Sequence, residues 1–89
     1  MSARFQRVGD IPAAYVGESL LMMSVEKGRY FSLNGVGARV WELLERPTTE
    51  GALVECLVGE FEVSADECAL QVAGFVRELR QHDLLRDVA

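Results

Sequence analysis

The sequence contains little of what catalysis or covalent cross-linking requires. Its 89 residues include two cysteines and one histidine. No apolar run approaches the roughly 18 residues of a membrane-spanning helix, and residues 1–10 lack the charged, then apolar, then small-residue order of a secretory signal. We therefore expect a cytoplasmic protein with reduced thiols, because disulfide frameworks belong to exported chains.

Positive charge is also scarce. Fourteen acidic residues outnumber nine basic ones, and the net charge of −5 repels nucleic-acid phosphates. The apolar content of 49% with 26% charged residues is typical of a globular protein. At this length one domain is expected, which we place at residues 13–89, with residues 1–12 as a lead-in or short strand.

Three short β-prone runs occupy the first third of the chain. They are Ala13 to Val16, Ser19 to Val25 and Arg29 to Leu33, and glycine-containing breaks at 17–18 and 26–28 separate them. Gly28 suits the left-handed position of a three-residue hairpin loop. The pattern predicts a three-stranded antiparallel meander. The earlier segment, Arg4 to Val8, fits either a short strand or a loose lead-in.

Capping signals divide the rest of the chain into three helices. Asn34 is the predicted cap of the first helix, which ends before Pro47. Thr48 is the predicted cap of the second. Ser64 and Glu67 form a capping box at the start of the third.

Each predicted helix has an apolar stripe at helical spacing. The first contains Val36, Val40, Trp41, Leu43 and Leu44. The second contains Leu53, Val54, Leu57, Val58 and Phe61. The third contains Cys68, Val72, Phe75, Val76 and Leu79, and Leu84-Leu85 follows it. Three strands followed by three helices predict an α+β, winged helix-turn-helix-like fold.

No group of residues fits a catalytic or metal site. Cys68 lies in the third stripe and is expected to be a core thiol, more than three helical turns from His82. Cys56 lies off the buried face of its helix, so we expect a partly exposed, inert thiol. Gly35 and Gly37 lack the further residues of a phosphate loop and are interpreted as close-packing positions. We expect no catalytic residue, metal ion or cofactor.

DNA binding by the third helix is the alternative that its fold allows. The exposed side of that helix has a balanced set of charges, which is typical of an ordinary solvated face. The residues concerned are Glu67, Gln71, Glu78 and Asp83 against Arg77 and Arg80. The helix therefore gives little support to nucleic-acid recognition.

The third predicted strand, Arg29 to Leu33, can lie at the sheet edge with unpaired backbone groups. The third helix is long enough to run beside that edge. Together they predict a groove that binds an extended peptide through main-chain hydrogen bonds and side-chain pockets. The alternative is that the helix covers the edge and leaves no groove.

The stretch GRYFSLNGVGARVWEL at residues 28–43 resembles the PqqD-like family, also called RiPP recognition elements. In that family a tyrosine-rich strand runs into the pattern LN, two residues, GA, two residues. The resemblance extends over about residues 14–86. It continues through Val63, Ser64, Phe75-Val76, Leu79 and Leu84-Leu85.

The resemblance implies that the leader segment of a ribosomally made precursor peptide adds antiparallel to the third strand, beside the third helix. Residues expected to bind it by position are Arg29, Tyr30, Phe31, Ser32, Leu33, Gln71, Val72, Phe75, Val76 and Leu79. The implied partners are a leader peptidase and a cyclase, as in lasso-peptide synthesis, or else a radical-SAM enzyme, as in pyrroloquinoline quinone synthesis. The lasso type is favoured, with the protein a monomer or weak homodimer and no nucleic acid or membrane involved.

Two other functions stay open beside this one. A winged-helix DNA-binding regulator would be retained on DNA in a salt-dependent manner. A small catalytic thiol protein would lose activity when Cys56 or Cys68 is replaced.

Overall fold

The computed structural model describes residues 4–9, 11–24 and 28–88 of the chain. The elements follow in the order β1 (Arg4–Arg7), β2 (Ala13–Val16), β3 (Ser19–Ser24), β4 (Arg29–Leu33), α1 (Val36–Leu43), α2 (Glu50–Glu60), α3 (Ala65–Gln81) and β5 (Leu85–Val88). Three consecutive antiparallel strands, β2 to β4, therefore precede three helices. This confirms the α+β, winged helix-turn-helix-like prediction.

The sheet has the order β2-β3-β4, so β4 is an edge strand as predicted. Ala13 pairs with Met22, and Met22 pairs in turn with Phe31. Gly17 has a φ of 62° in the first turn, and Gly28 has a φ of 60° beside β4. This left-handed backbone favours glycine, which explains both positions. The rest of the predicted hairpin loop, residues 26 and 27, lies outside the described residues, as does Val25, the last residue of the predicted second strand.

The two ends of the described chain form a second sheet, in which β1 pairs antiparallel with β5. Arg4 to Arg7 is thus a true strand, which settles the choice that the sequence left open. β5 was not predicted, since its four residues include two charged side chains. Phe5, at 4% exposure, anchors this sheet in the core.

The core lies between the β2-β3-β4 sheet and the three helices. Leu20 and Met22 enter it from β3, and Trp41 enters from α1. The helices supply most of the remaining buried side chains, namely Ala38, Val40, Leu53, Leu57, Cys68, Val72, Val76 and Leu79, and Leu44 is buried directly after α1. Leu84 and Leu85 close the core after α3, as expected.

Two of the predicted helix caps are wrong by one residue. The N-cap of α1 is Gly35 and not Asn34; Gly35 has a φ of 56° and no side-chain cap bond. The N-cap of α2 is Thr49, whose hydroxyl accepts from the Ala52 N–H at 3.1 Å. Thr48 is unsuited to this role because its backbone forms an antiparallel bridge with Phe5, a contact far away in sequence.

The third cap is confirmed, because the Ser64 hydroxyl accepts from the Glu67 N–H at 3.2 Å. The stripe of α3 is also confirmed, with Cys68, Val72, Val76 and Leu79 buried and Phe75 partly so. The stripe of α2 is narrower than predicted. Val58 is 38% exposed, because α2 packs through Leu53 and Leu57.

Candidate functional site

A groove separates β4 from α3. Its deepest part is a cavity of about 180 Å³ between the strand and the C-terminal half of the helix. The cavity is lined by Met22, Phe31, Ser32, Leu33, Phe75, Glu78, Leu79 and His82. Helix α3 therefore stands beside the strand edge and leaves a mostly apolar space there.

A second cavity of about 190 Å³ extends the groove toward α1. Its walls are Val36, Gly37, Val40, Gln71, Val72 and Phe75. Phe75 thus divides the two cavities and contributes to both. A Cβ atom on Gly37 would lie 3.8 Å from the Leu33 side chain and 3.9 Å from the Phe75 ring. These are ordinary van der Waals distances, so the interpretation of Gly37 as a close-packing position is wrong. It is also wrong for Gly35, which would have no atom within 4 Å of a Cβ and whose positive φ is what favours glycine.

The other end of the groove is polar. His82 caps the C-terminus of α3, and its ring meets the Phe31 ring edge-on at a centroid distance of 4.9 Å. Glu78 lies one turn earlier on the same face of the helix. Within the described part of the chain, neither side chain has a hydrogen-bond or ion-pair partner.

The backbone N–H and C=O groups of successive β4 residues point alternately toward β3 and toward the open edge. One hydrogen bond shows which residues point in which direction. The N–H of Met23 donates to the carbonyl of Pro12 at 3.0 Å, so Met23 directs its backbone groups toward β2. Its neighbour Met22 then faces β4, where it is opposite Phe31. It follows that Phe31 bonds inward to β3, whereas Tyr30 and Ser32 direct their N–H and C=O groups to the open edge.

The side chain of Tyr30 lies on the far face of the sheet, away from α3. It is 76% exposed and borders a shallow hollow of about 240 Å³. Side chains of successive strand residues alternate between faces, so Phe31 and Leu33 point into the groove. Tyr30 therefore directs its backbone N–H and C=O groups to the open edge beside the groove, whereas Phe31 directs its ring into the groove.

Most of the residues predicted to form the site lie together. Phe31, Ser32, Leu33, Phe75 and Leu79 line the first cavity, and Gln71 and Val72 line the second. Val76 is buried at 3% exposure and lines neither cavity. Arg29 is exposed at the start of β4 and is also outside both.

Sequence reasoning missed Glu78 and His82, together with Met22 and the α1 wall of the second cavity. A signal for the two polar residues was present, since they follow Phe75 at helical spacing of three and seven residues. They were assigned to a solvated face and a helix end because the pattern considered only apolar residues. The α1 wall depends on tertiary packing and has no such signal.

A polar network connects β2, the opposite edge strand of the sheet, to the helices. The Tyr15 hydroxyl donates to the Glu42 carboxylate, which connects β2 to α1. Arg39 donates from Nε and Nη2 to the two carboxylate oxygens of Glu60, at 2.8 and 2.9 Å, and connects α1 to α2. Its Nη1 also donates to Glu42 at 3.2 Å. Hydrogen-bonded side chains thus connect β2 to α1 and, through α1, to α2.

These contacts shift the pKa values of the residues in the network. Hydrogen bonds from Tyr15 and then Arg39 lower the pKa of Glu42. Those from Arg39 and then Cys56 lower the pKa of Glu60. The bond to Glu42 raises the pKa of Tyr15. The network is therefore fully charged at neutral pH, with the tyrosine protonated.

The two thiols lie where the sequence places them. Cys68 is at 0% exposure, and Cys56 is partly exposed with its Sγ 3.4 Å from a Glu60 oxygen. That hydrogen bond raises the pKa of Cys56, which is opposite to the activation that a nucleophile needs. Across residues 4–9, 11–24 and 28–88, no cluster of three or more possible metal ligands occurs. None of the helices in these ranges is long and apolar enough to span a membrane.

The protein is thus a small winged-helix-like domain with a mostly apolar groove between a sheet edge and a helix. Residues 19–85 match the family described as coenzyme PQQ synthesis protein D (PqqD). The chain belongs to the PqqD family, as its resemblance at residues 28–43 indicated.

Two solved structures are similar over nearly the whole chain. One is described as TbiB1 in complex with the TbiA(beta) leader peptide; it is 25% identical, covers 94% of this chain and 98% of its own, and has a TM-score of 0.81. The other, lasso peptide synthetase B1 complexed with the leader peptide, is 20% identical, covers 92% and 96%, and has a TM-score of 0.78. No curated protein sequence matches the chain.

Proposed function

We propose that this protein binds the leader segment of a ribosomally synthesised precursor peptide and presents it to modifying enzymes, without catalysing a reaction itself. The observation that carries the proposal is the apolar groove beside the open edge of β4. A structural relative with 25% identity is described in complex with a leader peptide. Membership of the PqqD family agrees with this role.

The leader is proposed to add as a strand antiparallel to β4. The outward backbone groups of Tyr30 and Ser32 would form its main-chain hydrogen bonds. Directly opposite residues of antiparallel strands share a face, so leader residues opposite Phe31 and Leu33 would point toward α3. The leader would then run parallel to α3, because Leu33 lies near Phe75 and Phe31 lies near His82.

The side-chain contacts proposed for the leader combine the expected site residues with those that the groove adds. Phe31, Leu33, Phe75 and Leu79 would bury its apolar side chains, with Gln71 and Val72 at the α1 end. Val76 would support this wall from the core. Arg29 would lie at the end of the strand. The alternation allows every second leader residue to be an anchor.

The enzymes served are proposed to be a leader peptidase and a cyclase of a lasso-peptide pathway. Both similar structures are described in complex with a leader peptide, and one is described as lasso peptide synthetase B1. A radical-SAM enzyme is the second choice, in keeping with the family description. The protein would act in the cytoplasm as a monomer or weak homodimer, with no cofactor.

Calorimetric titration with the leader segment encoded beside this gene tests the proposal. We expect a dissociation constant between nanomolar and tens of micromolar, the range that interfaces of this small size cover. In NMR spectra, the amides of β4 and α3 should shift while those of α2 stay unchanged. A titration without heat and without shifts would falsify the proposal. Salt-dependent binding to duplex DNA in its place would favour the regulator.

A further inference from the structure

The polar end of the groove contains a carboxylate without a cation. Glu78 lines the first cavity, and its side chain has no ion pair within the described ranges of the chain. Arg80, two residues further along α3, pairs with Asp87 at 2.9 Å. Arg29, the cation of the adjacent strand, does not line the cavity. This negative charge is therefore left for a partner.

The path to Glu78 is apolar. Phe31, Leu79 and Phe75 form the walls that a side chain entering from the strand edge would cross. His82 closes the end, with its ring edge against Phe31. A ligand side chain that fits this arrangement has an aliphatic stem and a charged tip. Lysine and arginine have that shape, because their methylene stems pack on apolar surfaces while the cation stays hydrated.

We infer that the groove selects a basic side chain on its peptide ligand, held with its stem between Phe31 and Leu79 and its cation at Glu78. The inference rests on the proposed function and adds to it the chemistry of one leader position. That position is the residue opposite Phe31, which points to the groove face. The net charge of −5 favours a basic ligand at long range as well.

The selectivity fixes the register of the leader. A strand that slides by one residue turns all its side chains to the other face of the sheet, and a slide by two moves a basic residue away from Glu78. Main-chain hydrogen bonds alone do not distinguish between these registers. One charged contact at the polar end, combined with apolar contacts at the α1 end, makes a single alignment the most stable.

A positional scan of the adjacent leader peptide tests the inference. Each leader residue is replaced in turn by Lys and by Met, which has a similar stem without charge, and binding is measured by calorimetry. We expect one position at which Lys binds roughly two- to five-fold more tightly than Met, the scale of a solvent-exposed ion pair. Glu78→Gln should abolish that preference. Glu55→Gln, an equal loss of charge at an exposed site of α2, should keep it.

A charge exchange provides the second arm. Glu78→Lys should weaken binding of the Lys-containing leader and prefer Glu over Met at the same position. A Lys preference that persists in Glu78→Gln, or that occurs at no position, would overturn the inference while binding of the unaltered leader still upholds the proposed function. Absence of binding by the unaltered leader would overturn both.

Discussion

The two edges of the β2-β3-β4 sheet are alike in backbone and opposite in surroundings. Each has outward backbone groups that no described residue pairs with, at Ala13 and Tyr15 on β2 and at Tyr30 and Ser32 on β4. On the β2 side, the Tyr15 hydroxyl donates to Glu42, which also accepts a hydrogen bond from Arg39. On the β4 side, a helix stands away from the strand and leaves cavities.

An open strand edge is not by itself a binding site. Main-chain groups give affinity, and pockets for alternate side chains give specificity. The β4 edge has outward backbone groups beside a groove that α3 walls, whereas the hollow that Ala13 and Ala14 border is shallow. The polar network at β2 holds the sheet against α1 and α2, so the space between sheet and helices lies on the α3 side. The first experiments should therefore act on the two edges separately.

Proline substitutions in β4 are expected to have the largest effect. Phe31→Pro removes an inward N–H from the sheet and should cost on the order of 1 to 3 kcal/mol of folding free energy. Tyr30→Pro removes an outward N–H, so it should stay folded by circular dichroism. Its leader affinity should fall by about 1 kcal/mol or more, the scale of one hydrogen bond with an unpaired partner.

Two variants serve as controls for this pair. Tyr30→Ala removes the exposed ring without removing the N–H and should bind the leader as the parent does. Ala13→Pro removes an outward N–H on the β2 edge and should also leave binding unchanged. A folded Tyr30→Pro protein with parental affinity would exclude strand addition at β4. Weakened binding in Ala13→Pro would show that the two edges are not distinguished as we propose.

Replacing both thiols is expected to cost less. Cys68→Ala combined with Cys56→Ser should lower the free energy of unfolding by about 1 kcal/mol, nearly all from the buried site. Leader affinity should not change, because neither thiol lines the groove. Denaturant titration and calorimetry measure the two quantities. If the folded double variant binds the leader but the pathway stops, the catalytic-thiol alternative regains support.

Gly37→Ala should separate stability from binding. Gly37 is the second residue of α1, where alanine should be favoured over glycine by less than the roughly 0.5 to 1 kcal/mol of a helix interior. The added methyl makes only ordinary contacts with Leu33 and Phe75. The protein should therefore be more stable, while the α1 end of the groove becomes narrower and the leader binds less tightly. Gly59→Ala in α2, where no atom lies within 4 Å, is the control and should change stability alone. Tighter leader binding by Gly37→Ala would contradict the role of the second cavity.

The smallest expected effect is on the stability of the fold at acidic pH. The folded-state pKa values of Glu42 and Glu60 are lowered below 4.5, so their ionised forms stabilise the fold above that pH. This contribution is lost as the pH falls through the lowered values. In Arg39→Gln the pKa of Glu60 should rise toward its ordinary value, and acid should destabilise the protein less. NMR titration of the Glu60 carboxyl measures this, with Arg77→Gln as a charge-matched control that should leave Glu60 unchanged.

Local patterns predicted those parts of the fold that depend on near neighbours. The three strands of the meander, the serine cap of α3 and the stripe of buried residues from Cys68 to Leu79 all follow from spacing within a few residues. Errors occurred where distant segments meet. Thr48 has the sequence position of a cap, but its backbone is paired with that of Phe5. β5 is a strand because β1 lies beside it.

For the site, the order and lengths of the predicted elements indicated which strand and which helix face each other, and the family motif predicted what they bind. Tertiary structure alone decided the direction of each backbone group in β4, because that phase is fixed by a hydrogen bond between Met23 and Pro12 on the far side of the sheet. It also decided that Glu78 and His82 line the groove. A polar residue on a helix has no local sign of whether water or a neighbouring strand lies beyond it; only the packing of α3 against β4 determines that.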